Sequence, residues 1–289
     1  MIPSAFEYVA PTSIAEAADL LNKHGEDAKL LAGGHSLIPL MKLRLAQPRI
    51  LIDLKNVDGM NSIEEDNDTL VIGGMCTYYQ LQSSDLIKNK VSMLADAAGD
   101  VADPQVRNLG TIGGSLSHAD PAADLPAVVI ALNSTIVVDS STGQRVIKAE
   151  DFFLDLLTTE LRANEVLKEV RIPNPVNNSG AAYLKFANKA SHYAVVGVAV
   201  RITINNAGIC EDASVGITGA GTHAVRAVET ERALRGSKID DVCIESASQR
   251  AVASVDDFLG DVHASAEYRE QLLQVFAKRA IHLAVSRVS

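Results

Sequence analysis

The sequence predicts an α+β protein of two domains, residues 1–176 and 177–289, with the first divided into subdomains of about 1–57 and 58–176. Three observations carry that reading. A strand–loop–helix–strand unit with a Gly-Gly turn opens the chain. A long stretch rich in Gly, Asp, Asn and Pro, Asp103 to Pro126, interrupts its middle. The segment Pro173-Asn174-Pro175-Val176-Asn177-Asn178-Ser179-Gly180 then gives the strongest boundary signal.

The elements follow in order. Ser13-Ile14-Ala15-Glu16 is a capping box, Ile14, Ala17, Ala18 and Leu21 form a helical face, and Gly25 is the C-cap. Ala28 to Ala32 is a short apolar strand, interrupted by Gly33-Gly34-His35-Ser36. A second helix carries Leu37, Leu40, Met41 and Leu45 and ends with the help of Pro48; Arg49 to Leu54 is the next strand. A new block begins near Val57, with a turn at Asn67-Asp68, a strand from Thr69 to Gly73, and helices around Thr77 to Leu81 and Met93 to Val101. Asp103 to Pro126 is expected to be irregular yet ordered, because its few charges and several apolar residues disfavour disorder. Strands return at Thr135 to Val138 and Val166 to Ile172. Beyond the boundary lie Ala181 to Phe186 and two strands, Val195 to Ile204 and Ala213 to Ile217, with Asn205-Asn206-Ala207-Gly208 as the turn between them. Gly216-Ile217-Thr218-Gly219-Ala220-Gly221 has the spacing of a dinucleotide fingerprint reversed and reads as a strand-to-helix loop. Helices around Ile244 to Ser254 and Tyr268 to Val285 finish the chain.

Composition excludes several classes of function. The 289 residues are 47% hydrophobic and 21% charged, ordinary for a globular protein. Lys plus Arg number 26 and Asp plus Glu 36, a net charge of −10 that argues against a nucleic-acid backbone or an anionic membrane surface as main partner. The chain has no Trp, and 4% aromatic residues make a poor stacking platform. Cys76, Cys210 and Cys243 are scattered, so no iron–sulfur or zinc ligand set is expected within the chain. The N-terminus carries neither a basic region nor an apolar run, and no apolar segment approaches the roughly 20 residues of a membrane helix. A cytoplasmic protein is expected.

The residues with chemical promise are two matched loops, Ala32-Gly33-Gly34-His35-Ser36 and Thr111-Ile112-Gly113-Gly114-Ser115. Glycines let a ligand approach the backbone, and successive N–H groups in such turns form an anion-binding nest. One Gly-Gly loop reads as a tight turn; two of matching form, each ending in a hydroxyl, suit a pyrophosphate gripped from both sides. The chain contains neither G-x-G-x-x-G in a Rossmann setting nor a P-loop.

With Met1-Ile2-Pro3, Phe6-Glu7-Tyr8, Lys29 to Pro39, Ile50 to Leu54 and the dense match Ala102-Asp103-Pro104-Gln105-Val106-Arg107-Asn108-Leu109-Gly110-Thr111-Ile112-Gly113-Gly114, the chain resembles the FAD-binding medium subunit of molybdenum hydroxylases. This is the xanthine dehydrogenase and aerobic carbon monoxide dehydrogenase family, and the resemblance spans essentially the whole chain, with the carbon monoxide dehydrogenase branch most similar. It implies a two-subdomain FAD-binding domain of the PCMH type, as in the wider vanillyl-alcohol-oxidase-like superfamily, followed by a carbon monoxide dehydrogenase flavoprotein C-terminal domain. It also implies site roles. Leu31, Ala32, Gly33, Gly34, His35 and Ser36, with Thr111, Ile112, Gly113, Gly114 and Ser115, would hold the pyrophosphate by backbone and hydroxyl hydrogen bonds. Val101 and Ala102 would line the flavin, Leu167 would touch it through its backbone, and Tyr193 would cover it. Asp124 would lie near the FAD chain, with Lys185 close by.

Plainer readings stand beside these roles. Asp124 also reads as a cap for the helix beginning at Leu125, Tyr193 as a strand-start aromatic, and His35 as a helix-start residue. Arg107 reads as a structural partner of Asp103 or Asp100, and His118 and His192 as polar loop residues. Two segments depart from the best-studied carbon monoxide dehydrogenases. Ser115-Leu116-Ser117-His118-Ala119-Asp120-Pro121 stands where they have Gly-Asp-Pro, and Ser191-His192 precedes Tyr193 where they have Gly-Asp.

The implied activity is electron transfer. Molybdenum-pterin chemistry in a large subunit and two [2Fe-2S] clusters in a small subunit would supply electrons singly. FAD here would collect them and pass them to a quinone, NAD or oxygen, in a dimer of heterotrimers. Association with the inner membrane face would come only through the complex or its acceptor. No nucleophile, general base or metal ligand is assigned to this chain. A stand-alone flavoprotein oxidising its own substrate would need a base beside the flavin. A non-enzymatic binding module is disfavoured by the intact glycines of both loops.

Overall fold

The computed structural model describes residues 2–289; Met1, the first residue of the matching start, lies outside them. The N-terminal subdomain contains β1 (Glu7–Val9), α1 (Ile14–His24), β2 (Ala28–Leu31), α2 (Leu37–Lys42) and β3 (Ile50–Asp53). The strands form a parallel sheet in the order β1-β3-β2. All four residues of the central β3 are buried, as a covered parallel strand requires. Ser13 Oγ accepts from Glu16 N at 3.2 Å, but Glu16 Oε2 takes the Thr12 N–H at 3.0 Å, so the capping box closes one residue early. The second helix ends at Lys42 rather than near Pro48. Arg44 adopts a φ of +60° and the Leu45 N–H turns back to Leu40 O at 2.9 Å. Strand β1 escapes the sequence reading because three residues with little burial leave no periodic trace.

The second subdomain holds β4 (Ile63–Asp66), β5 (Thr69–Gly73), α3 (Tyr78–Ser83), α4 (Asp85–Lys90), α5 (Ser92–Asp100), α6 (Pro104–Leu109), α7 (Ile112–His118), α8 (Asp124–Ala131), β6 (Thr135–Ser140), β7 (Gly143–Lys148), the small hairpin β8 (Phe153–Asp155) and β9 (Thr158–Thr159), and β10 (Val166–Pro173). Its main sheet runs β4-β5-β10-β6-β7, antiparallel throughout. The stretch expected to be irregular, Asp103 to Pro126, is mostly helical. Asp103 caps α6 by accepting from Gln105 N and Val106 N at 2.8 and 3.0 Å, with Pro104 at the first helical position, where its missing N–H costs nothing. Thr111 caps α7. Helices of six and seven residues are too short to leave an amphipathic period in the sequence.

The C-terminal part is an antiparallel sheet of β11 (Ser179–Ala187), β12 (Ala194–Ile204), β13 (Cys210–Thr218) and β14 (Val225–Arg226), with α9 (Val228–Leu234), α10 (Asp241–Gln249) and α11 (Ala266–Ser286). Its two faces separate by the strand period of two. Ala182, Val198 and Val200 join the core with Leu273 and Ala277 of α11. Tyr183 and Ala199, directly paired, face the core of the second subdomain instead. There α8, all eight of whose residues are buried, packs on β12 and β13. Gly216 lies in that contact, and a Cβ there would overlap the Ala127 carbonyl oxygen. The segment 216–221 is therefore not simply a strand-to-helix loop. Its first three residues end β13, Gly219 turns the chain at a φ of +80°, and β14 intervenes before α9. Arg226 ties the parts together, donating to Glu231 at 2.8 Å on its own side and to Asn133 and Glu150 at 2.8 and 3.0 Å across the boundary.

Candidate functional site

The strand–loop–helix unit and the α6–α7 turn meet face to face, and between them opens a cleft of about 630 Å³. Leu31 to Ser36 form one wall. A Cβ on Gly33 would overlap the Leu109 carbonyl oxygen and stand 2.7 Å from Gly110 Cα, so only glycine allows the two subdomains to approach this closely. Gly34 follows at a φ of +74°. Among the described residues, the N–H groups of Gly33, Gly34, His35 and Ser36 make no hydrogen bond. The Ser36 side chain makes no capping bond at the start of α2. This is a nest of unspent donors at a helix start, a cradle for an anion.

The opposite wall is built differently. Thr111, Gly113, Gly114 and Ser115 line the cleft, yet the N–H groups from Ile112 to Ser115 are spent internally. Ile112 N donates to Cys76 O at 2.9 Å, Gly113 N to Gly74 O at 2.8 Å, Gly114 N to Thr111 Oγ1 at 3.1 Å and Ser115 N to Thr111 O at 3.0 Å. The two loops therefore differ: the first offers four N–H groups, and the second offers the Thr111 N–H, the hydroxyls of Thr111, Ser115 and Ser117, and a surface without side-chain bulk. Ile112 is fully buried and does not line the cleft. Leu167 does, at a bulge in β10 opposite Gly74.

A second pocket of about 320 Å³ adjoins the cleft, the two sharing His35, Ser36, Tyr78, Ser115 and His118. Val101, Ala102, Asp124 and Tyr193 lie on its wall, as do His118 and His192. Ala102 holds a φ of +42°, a conformation that costs an L-residue roughly 1–2 kcal/mol. Arg107 pairs with neither expected carboxylate; its Nη1 donates to the carbonyls of Val101 and Ala102 at 2.9 and 3.1 Å. Tyr193 is half exposed at the pocket rim, immediately before β12.

Asp124 is the first residue of α8, and its carboxylate does not cap the helix. Its Oδ1 accepts from Tyr183 OH at 2.5 Å and its Oδ2 from Lys185 Nζ at 2.9 Å. Burial drives its pKa up to about 6, against the lowering pull of Lys185 and Tyr183. Lys185, expected near the FAD chain, is not in the pocket wall. All three of its donors are spent, on Asp124, on Asp100 O at 3.0 Å and on His192 O at 2.7 Å. It braces the site: Asp100 precedes Val101, and His192 precedes Tyr193.

The residue missed from the sequence is Tyr78. It lines both cavities, its ring lies against Gly110, and burial raises its pKa to about 12. The Thr77–Gln80 capping box, present in the structure, is the sequence signal that starts the helix at this residue. Together the unspent donors, the glycine-only contact and the adjoining apolar pocket fit an elongated ligand with an anionic centre and a flat end, as FAD is.

Comparison with known proteins gives the same reading. Residues 4–175 match the model of the FAD-binding domain in molybdopterin dehydrogenase, and residues 181–284 that of the CO dehydrogenase flavoprotein C-terminal domain. The alpha subunit of the 6-hydroxypseudooxynicotine dehydrogenase complex of Paenarthrobacter nicotinovorans is 36% identical, over 99% of this chain and 97% of that one. The carbon monoxide dehydrogenase medium chain of Hydrogenophaga pseudoflava is 38% identical over 99% of each. A solved carbon monoxide dehydrogenase from Hydrogenophaga pseudoflava that lacks the molybdenum-pyranopterin moiety of the molybdenum cofactor superposes with a TM-score of 0.97 at 39% identity, covering 100% of both chains.

Two outcomes are expected. Gly33→Ala forces the loops apart, so the folded variant carries little or no flavin; wild-type flavin content, read by absorbance with the fold checked by circular dichroism, would contradict the cradle. Asp124→Asn turns a side-chain NH2 toward one of the two buried donors, Tyr183 OH or Lys185 Nζ, that the carboxylate accepts from and destabilises by about 2 kcal/mol, while Asp124→Asn with Lys185→Met recovers part of the loss, read by urea unfolding. The sign of the pH effect follows from the raised pKa. Asp124's proton-linked contribution is complete below 3.8 and is lost as pH rises through about 6, a slope absent from the Asn variant.

Proposed function

The chain belongs to the family of FAD-binding medium subunits of molybdenum hydroxylases, and on that premise we propose that it is the electron-transfer subunit of an aerobic carbon monoxide dehydrogenase. The observation that carries the cofactor half of this reading is the cradle of four unspent backbone N–H groups at Gly33 to Ser36, facing the glycine surface of Gly113 and Gly114. FAD, when bound, supplies the ability to accept electrons one at a time and release them in pairs.

The chain's residues hold and shield it. The first loop donates to the pyrophosphate, and the hydroxyls of Ser36, Thr111 and Ser115 complete the grip. Val101 and Ala102 form one wall of the flavin end, Leu167 meets it through the backbone, and Tyr193 covers it from the rim. Asp124 orients these walls through Lys185. The division at residues 176 and 177 is retained as the domain boundary, and the site is built from both sides of it. His35 and His118 reach the junction of the two cavities without a partner chemistry that demands a base, so the stand-alone oxidase reading gains no support from them.

A large molybdenum subunit and a small iron–sulfur subunit are the partners of this reading, in a dimer of heterotrimers. The medium-chain names of the relatives support separate partner subunits. The final acceptor is a quinone, with NAD or oxygen as the competing outcomes. No helix among the described residues is long and apolar enough to cross a membrane, and the reading places the complex in the cytoplasm or against the inner membrane face through its acceptor. A second substrate reading has its own support. The 6-hydroxypseudooxynicotine dehydrogenase relative is 36% identical, close to the 38% of the carbon monoxide dehydrogenase chain. An N-heterocycle or nicotine-derived substrate therefore competes with carbon monoxide, and the choice lies in the large subunit.

The test is to co-express the chain with its neighbouring large and small subunits and purify through a tag on this chain alone. Flavin and iron–sulfur absorbance that bleaches on adding carbon monoxide is expected. Bands that bleach only with a nicotine-type substrate reassign the substrate, and absence of both flavin and partners contradicts the subunit reading.

A further inference from the structure

Arg107 stands on α6, outside the pocket wall, yet its guanidinium reaches back to the turn that forms that wall. Val101 has φ −68° and ψ 121°, the first corner of a type II turn. Ala102 follows with φ +42°, at the corner where glycine is the usual residue. Both carbonyls converge on Arg107 Nη1, at 2.9 and 3.1 Å. Because a peptide unit is planar and trans, each carbonyl points opposite to the N–H that follows it. Drawing the Val101 and Ala102 carbonyls toward Arg107 therefore turns the N–H groups of Ala102 and Asp103 away from it. Among the described residues neither N–H makes a hydrogen bond, and both residues line the pocket. The nearby carboxylate of Asp103 caps α6 through Oδ1 and makes no hydrogen bond to Arg107, whose Nη1 stays on the turn.

We propose that Arg107 is a positioning residue that holds the 101–103 peptides so that the Ala102 and Asp103 N–H groups donate to the carbonyl oxygens of the flavin's pyrimidine ring. This rests on the FAD reading of the pocket. Two fixed donors favour the electron-rich reduced ring over the oxidised one, because hydrogen bonds strengthen as the acceptor gains charge. An alanine at a glycine corner fits the arrangement: the guanidinium, not the residue type, fixes the two peptide planes.

The test uses the complex co-purified with its partner subunits and loaded with FAD carrying carbon-13 at the pyrimidine carbonyls. Wild type is compared with Arg107→Gln and with Arg107→Gln combined with Ala102→Gly, in which glycine accepts the positive φ without help. Infrared difference spectra are expected to show the flavin carbonyl stretches moving to higher frequency in both variants. The flavin potential falls with them; each tenfold loss of preference for the reduced form is about 30 mV for a two-electron couple. Loss of flavin from both variants while the complex still assembles supports the proposal as well. Wild-type bands and potential in either variant overturn it; if the double variant alone is wild-type, Arg107 serves only to relieve strain at Ala102. Absence of flavin from the wild-type complex would overturn the FAD reading and the proposal with it, whereas flavin with unmoved bands overturns the proposal alone.

Discussion

The site depends on the missing side chain at Gly33. There the first Gly-Gly loop lies against the Leu109–Gly110 backbone, and no residue with a Cβ fits. That contact joins two sheets of different construction, one parallel and one antiparallel, at the mouth of the cleft. It also explains why the two loops, alike in sequence, behave differently. The first ends a strand and starts a helix, leaving its N–H groups unspent. The second is stitched to Gly74 and Cys76, spends the N–H groups of Ile112 to Ser115, and forms the wall against which the first is set. In the proposed reading an anion would be held by one loop's dipoles and located by the other's shape.

A second layer of organisation is carried by buried charge. Lys185, anchored on a strand of the C-terminal sheet, fixes backbone carbonyls on both flanks of the second pocket, while Asp124 neutralises it from the start of a fully buried helix. Breaking such a pair costs more than the pair contributes, because a lone charge is left in a poorly solvated place. The C-terminal part is therefore tied to the pocket wall: its Tyr183 and Lys185 hold Asp124, which lines it.

Much of this was legible in the sequence. The strand from Thr69 to Gly73 falls where its composition places it, and both glycine loops line one cleft. Short-range signals such as the Ser13 cap and the Gly25 stop are physical and local, so they can be read without the fold. What escaped reading is nonlocal. Strand β1 and the helices α6 and α7 are too short to show a period. The spent state of the second loop's donors depends on Gly74 and Cys76, some forty residues away. Nothing in the sequence context of Lys185 tells that three protein acceptors surround it. Tyr78 was passed over because a tyrosine at a helix start has no pattern of its own.

The account's central claim is the asymmetry of the two loops, and amide hydrogen exchange with and without FAD tests it most directly. FAD is expected to slow exchange sharply at Gly33, Gly34, His35 and Ser36 while leaving Ile112 to Ser115, already bonded within the protein, little changed. Equal protection of both loops, or protection of the second alone, would contradict it.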